Sequence, residues 1–472
     1  MLISQKSLLE RLQSILFDAK FVQQCAKDLG LPVVANQRCG SWYVPPDLLA
    51  HSCYFKSTDG HVNEWSFNHR RLNLHLLPLI EASGGCIIVD STRGPKSFPD
   101  ALSKTIPIWC CVLNRLLFPN HKESQLSVLP SSKIISPDEI EAIRNRLPSL
   151  CSEAERLDLD ISSLRTQISR PLRPYFLDPS SNSVLALNEN TNSENHPIFL
   201  VMASSNEESS ESRQQYNRFR DSILPYLNYV RGAGDDEDNW ASGITPEAFW
   251  HNKDALLEAL QDPDIDYPAT ILSIANIKPK ALQYEKPIGM GQPGLFIGTT
   301  TAHVSYKILQ TYAPYDAIIV CNEDHQLSSN VETLAKEGIK PPILDLKLTP
   351  GKLGSRALRA IFPQLMPFMA QITKPKPAVL VADNAGIDHA AGVTLILSCL
   401  FYEEDCFSRV PVRHKFDKEF IRKRLAMMTA CKWDINPSRA TLQSVNALLM
   451  PWDEMEAISG MYRGMGQMRI GE

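Results

Sequence analysis

The hydrophobic positions of this chain change their spacing along its length, and the spacing predicts where helices and strands lie. Near the N-terminus, apolar residues recur at helical intervals, at Leu8, Leu12, Ile15, Val22, Ala26 and Leu29. This stripe predicts an amphipathic helix over residues 6–29, ended by Gly30 and Pro32. The apolar run Cys86–Val89, bounded by glycines and an aspartate, predicts a buried strand whose polar exit loop is a candidate site.

In the C-terminal part, strand patterns alternate with helical ones. The runs are LFIGTT, AHVSYKILQTY, DAIIVCNE, PPILDLKL, SRALRAIFPQLMPFMAQI, AVLVAD and AAGVTLILSCLFY. Strands interleaved with helices indicate an α/β sheet covered on both faces. The Pro- and Gly-rich stretch KALQYEKPIGMGQPG precedes them and marks a boundary near Met290. We therefore predict a large N-terminal α+β domain over residues 1–290 and an α/β domain over residues 291–472 that ends in basic helices.

Composition narrows the class of protein only a little. The chain has 472 residues, a formal net charge of -5, 43% hydrophobic residues and 11 cysteines without a C-x-x-C pair. This is typical of a folded, soluble chain too long for one compact core, and a nucleic-acid partner would need a local basic patch. The scattered cysteines indicate reduced thiols, no disulfide partner and a cytoplasmic location. Since no apolar run approaches about 18 residues, we expect no membrane association.

The stretch VLVADNAGIDHAAGVTLILSC has the pattern of a buried strand, a tight turn with a glycine, and a helix. At such turns the backbone N–H groups and the helix dipole can hold a phosphate, and glycine lets the backbone come close to it. Residues Asp383–Ala391 have this layout. The same pattern occurs in α/β proteins that bind no ligand there, so the loop by itself leaves a structural role open.

The C-terminal part, from LFIGTTTAHVSYKILQTYAPYDAIIVCNE to this loop, resembles the dual-specificity phosphatases. Their loop has the sequence H-C-x-x-G-x-x-R-[ST]; here Gly386 matches the glycine, Asp383 stands at the cysteine and His389 at the arginine. Because the nucleophile and the cation are both missing, we expect no phosphatase activity. The resemblance implies that the loop instead binds a phosphate, through Asp383, Asn384, Ala385, Gly386, Ile387 and His389.

Nearly the whole chain resembles the initiator tRNA 2'-O-ribosyl phosphate transferases. The stretches that carry this resemblance are IIVDSTRGPKSFPDALSKTIPIWCCVLNR, DNWASGITPEAFW and VADNAGIDHAAGV. The resemblance implies a pentosyltransferase that takes 5-phosphoribosyl 1-pyrophosphate and attaches ribosyl phosphate to the 2'-hydroxyl of adenosine 64 in initiator methionine tRNA. Such a mark would keep this tRNA out of elongation. Gly386 and Asp388 match family members, and Asp388 is our first candidate for the general base, ahead of Asp100.

A donor that carries pyrophosphate calls for cations and, as a magnesium complex, for oxygen ligands. The loop VDSTRGPKSFPDALSKT after the predicted strand offers both kinds of group. We predict that Asp90 or Asp100 contacts Mg2+ and that the pyrophosphate is bound by Ser91, Thr92, Arg93, Lys96 and Lys104. In the alternative interpretation, Asp90 caps a turn and the lysines are solvated charges.

Basic residues in two regions are candidates for tRNA contacts. In the N-terminal region, Arg38, Arg70 and Arg71 could contact RNA phosphates. The most basic run of the chain, PVRHKFDKEFIRKRL, offers Arg413, Lys415, Arg422, Lys423 and Arg424. A charged, solvated helix face is the alternative for this run. A second hypothesis for the whole chain is a catalytically dead phosphatase-like module that binds a phosphorylated partner or RNA; the polar loop after Val89 favours the enzyme.

Overall fold

A computed structural model describes residues 4–37, 39–93, 96–127, 135–179, 194–204, 228–233, 237–262, 264–275, 287–299, 315–321, 342–403, 406–412 and 416–451. The chain divides into two compact units, Met1–Ala281 and Leu282–Glu472, and each contains its own five-stranded sheet. The predicted RNA contacts Arg38, Arg413 and Lys415 lie outside the described residues.

The sheet of the first unit has the strand order β2-β1-β3-β5-β4, and all neighbouring strands are parallel. Its strands are β1 (Val33–Asn36), β2 (Leu49–Cys53), β3 (Cys86–Asp90), β4 (Leu172–Leu177) and β5 (His196–Met202). The central strand β3 is buried along its whole length, as its apolar sequence predicts. Because the carboxyl ends of parallel strands meet at one edge, Asn36, Asp90 and the residues after Met202 lie near one another.

Helices flank this sheet and supply most of its apolar cover. They are α1 (Gln5–Leu29), α2 (Leu76–Ser83), α3 (Ile106–Leu117), α4 (Pro137–Glu155), α5 (Ile161–Gln167), α6 (Glu237–Trp240), α7 (Pro246–Gln261) and α8 (Tyr267–Ala275). Helix α1 is capped by the Ser4 side chain and ends at Gly30, whose positive φ suits glycine. Its apolar stripe is buried in the core of the first unit. The predicted helix over residues 6–29 and the predicted strand at Cys86–Val89 are therefore confirmed.

The second unit is built on a sheet in the order β6-β7-β10-β8-β9. Its strands are β6 (Ile288–Gly289), β7 (Leu295–Thr299), β8 (Ala317–Val320), β9 (Ile343–Asp345) and β10 (Val379–Asp383). The edge strand β6 is antiparallel to β7, and the other neighbours are parallel. A separate antiparallel pair is formed by β11 (Tyr402–Glu403) and β12 (Cys406–Phe407).

The described helices of the second unit are α9 (Lys352–Ala357), α10 (Phe362–Ala370), α11 (His389–Leu400), α12 (Lys418–Cys431) and α13 (Arg439–Leu449). Helix α11 follows the central strand β10 and is buried along its whole length. It packs against α12 and α13, so it is enclosed by protein on every face. The central strand and the helix after it are thus the most deeply buried part of this unit.

The mixture of helices and sheets predicted for both parts of the chain is confirmed. The first sheet is wholly parallel among its described strands, which is more specific than the α+β class predicted from the sequence. The two units divide after Ala281, whereas the sequence placed a boundary after residue 290; β6 pairs with β7 and so belongs to the second sheet. All 11 cysteines are free thiols, and no described helix is both long and apolar enough to cross a membrane.

Candidate active site

The carboxyl edge of the first sheet gathers polar groups around Asp90, the last residue of β3. Asn36, at the end of β1, donates a hydrogen bond from Nδ2 to Asp90 Oδ2 at 2.9 Å. The backbone N–H of Ser91 donates to Asp90 Oδ1 at 2.8 Å. Asp90 is only 3% exposed. Its carboxylate is therefore oriented by two donors, from a neighbouring strand and from its own exit loop.

Hydroxyl groups extend this polar cluster to the next strand. Ser91 Oγ lies 2.6 Å from the Oγ of Ser204, two residues beyond β5. Tyr43 is fully buried, and its hydroxyl accepts a hydrogen bond from the backbone N–H of Ala233. Burial raises the pKa of Tyr43 well above its ordinary value, so this hydroxyl stays neutral. Residues from β1, β3, β5 and the 228–233 segment thus meet at one edge of the sheet.

Two glycines allow loops to come against the exit of β3. A Cβ atom on Gly40 would lie 2.1 Å from the carbonyl oxygen of Val89. Gly232 has a φ of +67°, and a Cβ there would lie 2.4 Å from the carbonyl oxygen of Thr92. A side chain at either position would force the backbone apart. The loops that surround Asp90 are therefore held in close contact by the absence of side chains.

The second half of the predicted phosphate loop is occupied by an ion-pair network. Asp100 contacts Lys96 Nζ at 2.6 Å and Lys104 Nζ at 3.0 Å, and Lys104 Nζ also lies 2.9 Å from Glu139 Oε1. Lys104 and Asp100 are both 4% exposed, within and beside a π-helical turn at Ala101–Thr105. This network fastens the turn to α4. As the structure stands, Lys104 and Asp100 bind each other rather than facing solvent.

Arg93 is a predicted phosphate ligand with an exposed side chain. It is exposed, and no carboxylate of the described residues pairs with its guanidinium. Lys96 is also exposed, although its Nζ contacts Asp100. Arg231 reaches the same loop, where its Nη2 donates to the carbonyl oxygen of Lys96 at 2.7 Å. The sequence analysis missed Arg231 and Ser204, since only the fold brings them to the exit of β3.

In the second unit, the predicted phosphate loop follows β10, and its backbone donors converge on a side chain of the loop itself. Asp383 Oδ1 accepts hydrogen bonds from the N–H groups of Ala385 and Gly386, at 2.9 and 2.5 Å. Asp383 Oδ2 accepts one from the N–H of Ala390 at 2.8 Å. Gly386 has the positive φ, 65°, that the sequence pattern predicts for a tight turn. The Asp383 carboxylate thus occupies the position where the loop amides would otherwise bind a phosphate.

The other polar side chains of this loop also bind within the second unit. Asp388 Oδ1 accepts hydrogen bonds from the N–H of Ser438 at 2.8 Å and from the hydroxyl of Thr441 at 2.6 Å. These contacts cap the start of α13. His389 is 6% exposed, and its Nε2 lies 3.3 Å from Ser355 Oγ. Asn384 and Ala385 are exposed and Ile387 is half-buried.

A cysteine near this loop does not replace the missing nucleophile. Cys321 directly follows β8 and is buried. Burial, with the nearby charges of Asp383 and Asp345, raises the pKa of its thiol well above the ordinary value. A thiol held in the neutral form is a poor nucleophile. Cys321 is therefore not a candidate for the nucleophile that the loop lacks.

The predicted RNA contacts that the structure describes differ in their exposure. Arg70 and Arg422 are exposed, and Lys423 is half-buried on α12. Arg71 is 8% exposed, and its guanidinium lies 4.6 Å from the centre of the Tyr54 ring. Arg424 donates to the carbonyl oxygen of Tyr402 at 3.0 Å. Arg70, Arg422 and Lys423 are therefore the better placed of these residues to contact a nucleic acid.

Comparison with known families covers both units. Residues 2–274 match the family model described as the Rit1 N-terminal domain. Residues 342–449 match the model described as the Rit1 DUSP-like domain. This chain belongs to the Rit1 family. Its second unit is thus a dual-specificity-phosphatase-like domain, as the sequence resemblance implied.

Relatives of this Rit1 family member align over nearly their whole length. The chain is 31% identical to the tRNA A64-2'-O-ribosylphosphate transferase of Saccharomyces cerevisiae, an alignment that covers 94% of this chain and 92% of the relative. It is 32% identical to an uncharacterised protein of Schizosaccharomyces pombe, with 93% of each chain covered. The predicted family is therefore confirmed.

The edge of the first sheet offers a magnesium ion one carboxylate ligand rather than a group of several protein ligands. Among the described residues no group of three or more His, Cys, Asp or Glu side chains could hold a metal. Asp90 is the carboxylate that ends β3 at this edge, where hydrogen bonds from Asn36 and Ser91 orient it. Mg2+ commonly binds through one or two carboxylates together with substrate phosphates and waters. The residues present fit that mode of binding.

Proposed function

We propose that this protein transfers ribosyl phosphate from 5-phosphoribosyl 1-pyrophosphate to the 2'-hydroxyl of adenosine 64 in initiator methionine tRNA. The observation that carries the proposal is the full-length similarity to a protein named as a tRNA A64-2'-O-ribosylphosphate transferase. The protein would therefore be an enzyme, a pentosyltransferase that modifies tRNA. Its site of action would be the cytoplasm, and its effect would be to mark the initiator against use in elongation.

The geometry favours the carboxyl edge of the first sheet as the donor site. Ligands of open parallel sheets bind outside the carboxyl ends of the strands. There Asp90 and Asn36 supply oriented polar groups, while Arg93 and Lys96 supply exposed cations. In contrast, the amide groups of the 383–390 loop already bind Asp383. In this proposal the donor phosphates contact Arg93 and Lys96.

The reaction joins the 2'-oxygen of adenosine 64 to the anomeric carbon of the donor. The bond from that carbon to the pyrophosphate oxygen breaks, and its electron pair leaves with the pyrophosphate. The proton of the 2'-hydroxyl passes to the surrounding water. Arg93 and Lys96 would stabilise the negative charge that grows on the leaving group. When bound at Asp90, Mg2+ would supply further neutralisation of the pyrophosphate.

The two carboxylates proposed as bases would position loops. Asp388 accepts two hydrogen bonds that cap α13, and Asp100 is paired with Lys96 and Lys104. Both oxygens of Asp100 contact lysines, and the two hydrogen bonds to Asp388 share its Oδ1. In our proposal, therefore, Asp388 and Asp100 fix the backbone of their loops.

A labelling experiment tests this function. Purified protein is incubated with 5-phosphoribosyl 1-pyrophosphate labelled in the ribose, with initiator or elongator methionine tRNA, and with or without excess EDTA. We expect label at adenosine 64 of the initiator alone, and no label with EDTA. If neither tRNA is labelled across a range of Mg2+ concentrations, the proposal fails.

The competing hypothesis is a binding module without catalysis, which would recognise a phosphorylated partner through the 383–390 loop. The hydrogen bonds of the Asp383 carboxylate argue against this mode, because a phosphate would have to displace it from three backbone donors. The polar edge of the first sheet would also have no role in such a module. The enzyme hypothesis accounts for both observations.

A further inference from the structure

Helix α1 carries a polar face that its amphipathic pattern does not explain. Arg11, Ser14 and Asp18 are spaced three and four residues apart, so they lie on one side of the helix. Ser14 and Asp18 are 1% and 2% exposed, although polar side chains are seldom so deeply buried. A face of this kind has a binding or a structural purpose.

All three residues contact segments that lead to the exit of β3. Ser14 Oγ accepts a hydrogen bond from the N–H of Val230 at 2.9 Å. The hydroxyl of Tyr229 lies 3.0 and 3.1 Å from the two carboxylate oxygens of Asp18. Arg11 Nη1 donates to the carbonyl oxygen of Trp240 at 2.5 Å. The polar face of α1 is therefore tied to residues 229–230 and to α6.

The same segment continues to the phosphate loop of the first unit. Arg231 donates to the carbonyl oxygen of Lys96, and Gly232 lies against the backbone of Thr92. Ala233 then donates to the hydroxyl of Tyr43. Five consecutive residues, 229–233, thus connect the polar face of α1 to the loop after β3. The segment thus runs from Ser14, which follows Arg11 by three residues on α1, to the exit loop, where a Cβ on Gly232 would lie 2.8 Å from the backbone nitrogen of Arg93. The charge of Arg93 is also one of the causes that lower the pKa of Arg11, after burial.

A guanidinium with a buried N–H group that lacks an acceptor is a candidate ligand for an anion, above all where a loop brings a second cation towards it. No carboxylate of the described residues pairs with Arg11 or Arg93, and Arg11 Nε is buried without a hydrogen-bond partner among them. Asp18 does not supply the missing charge, because burial raises the pKa of its carboxyl well above the ordinary value. The Asp100 carboxylate, in the same exit loop, is paired with Lys96 and Lys104.

We propose that Arg11 and Arg93 together bind the diphosphate group of the donor at the carboxyl edge of the first sheet, an inference that rests on the proposed function. A guanidinium presents several N–H donors in a planar fork, which matches the oxygens of a phosphate. The Arg11 guanidinium is held in place by Trp240, since it lies 5.7 Å from the centre of the Trp240 ring and donates to the Trp240 carbonyl oxygen. Arg93, being exposed, would close over the same anion from the loop.

The experiment measures binding of inorganic pyrophosphate, in the presence of Mg2+, to the full-length protein by calorimetry. The variants are Arg11→Gln, Arg93→Gln and the double substitution. Lys6→Gln is the matched control, because it removes a positive charge from the same helix at a side chain that is 86% exposed. We expect each single substitution to weaken binding about tenfold, as expected for one charge-assisted contact, and Lys6→Gln to leave it unchanged. Because both arginines bind one anion, the double variant should lose less than the product of the single losses.

A second variant guards against misfolding of Arg11→Gln, which loses a hydrogen bond to Trp240. Arg11→Lys keeps the charge and the aliphatic stem but not the fork, and we expect it to bind pyrophosphate about threefold more weakly than the native protein. The proposed pyrophosphate site at Arg11 and Arg93 is contradicted if both Arg11 variants bind pyrophosphate as tightly as the native protein. It is also contradicted if the native protein does not bind pyrophosphate.

Binding and labelling together distinguish a failure of the proposed pyrophosphate site from a failure of the proposed function. If the native protein transfers ribosyl phosphate to tRNA while the Arg11 variants bind pyrophosphate normally, the proposed pyrophosphate site is wrong and the proposed function is supported. If pyrophosphate binding depends on Arg11 but no tRNA is labelled, the proposed pyrophosphate site is supported and the proposed function is wrong.

Discussion

The loops after β3 and β10 begin alike and differ in what binds their polar groups. Each follows a buried central strand of a parallel arrangement, and each strand ends in an aspartate. Asp90 receives hydrogen bonds from Asn36 and from one loop amide. Asp383 receives hydrogen bonds from three amides of its own loop. The first loop has cations that are exposed to solvent. In the second loop, the backbone N–H groups that could bind a phosphate already bind the Asp383 carboxylate.

This difference shows why a phosphate-loop pattern is not by itself a phosphate site. The strand, the glycine turn and the helix of the second unit are all present, and Gly386 has the expected positive φ. An aspartate at the position of the phosphatase cysteine, however, fills the loop with a carboxylate. The loop then stabilises its own fold, and donor chemistry is expected in the first unit.

The largest effect that we predict concerns Asp383. Asp383→Ala would leave three backbone N–H groups near α11 without their acceptor, and we expect it to destabilise the second unit by about 3–5 kcal/mol in chemical unfolding. Asp383→Asn keeps one acceptor oxygen and should cost less. Inorganic phosphate at millimolar concentration should partly restore the alanine variant, because the amides would then bind an oxyanion. An alanine variant as stable as the native protein would contradict the interpretation that the Asp383 carboxylate stabilises the loop by accepting these hydrogen bonds.

A second effect separates the two lysines of the first loop. Lys104→Ala would leave the buried Asp100 and the half-buried Glu139 without their shared cation and should destabilise the first unit by about 3 kcal/mol. Lys96 is 53% exposed, so Lys96→Ala should cost less than about 1 kcal/mol. Urea unfolding followed by circular dichroism would measure both. Equal losses of stability would show that Lys104 does not have the structural role assigned to it.

A smaller effect concerns tRNA. If α12 contacts RNA phosphates, the double variant Arg422→Ala and Lys423→Ala should lower the slope of log affinity against log salt by about 1–2. Arg144→Ala with Arg146→Ala is the control, since both side chains are about half exposed on α4 of the first unit. Filter binding of initiator tRNA at several salt concentrations would report the slopes. If the control changes the slope and the α12 variant does not, the proposed contact moves to the first unit.

The smallest effect is a pH dependence at the amino edge of the first sheet, opposite the candidate site. Hydrogen bonds from the backbone and hydroxyl of Ser169 and from His196 lower the pKa of Glu81 to about 2. Since the pKa is lower in the folded state, the stabilisation is complete above the ordinary value of about 4.5 and is lost as pH falls towards 2. Glu81→Gln should flatten the acid side of the stability profile between these values. An unchanged profile would mean that these hydrogen bonds to Glu81 do not stabilise the folded state.

Sequence reasoning predicted the elements better than the site. Helix α1 and strand β3 follow from local hydrophobic spacing, and Gly386 follows from the turn that it makes. The three hydrogen bonds to Asp383 did not follow, because a side chain in its own loop looks the same in sequence whether it turns inward or outward. Arg11 was missed for another reason. Its contacts are with residues more than 200 positions away, and only the fold brings them together.

Donor binding by two single variants tests the central claim most directly. Arg93→Gln removes an exposed cation from the first unit, and Gly386→Ala strains the second loop, where a Cβ would lie 3.0 Å from the carbonyl oxygen of Gly298. Equilibrium dialysis with labelled 5-phosphoribosyl 1-pyrophosphate and Mg2+ gives a Kd for each variant, once circular dichroism shows that it is folded. The account predicts at least about tenfold weaker binding for Arg93→Gln and a change within about twofold for Gly386→Ala. The reverse result would place the donor in the loop of the second unit and contradict the account.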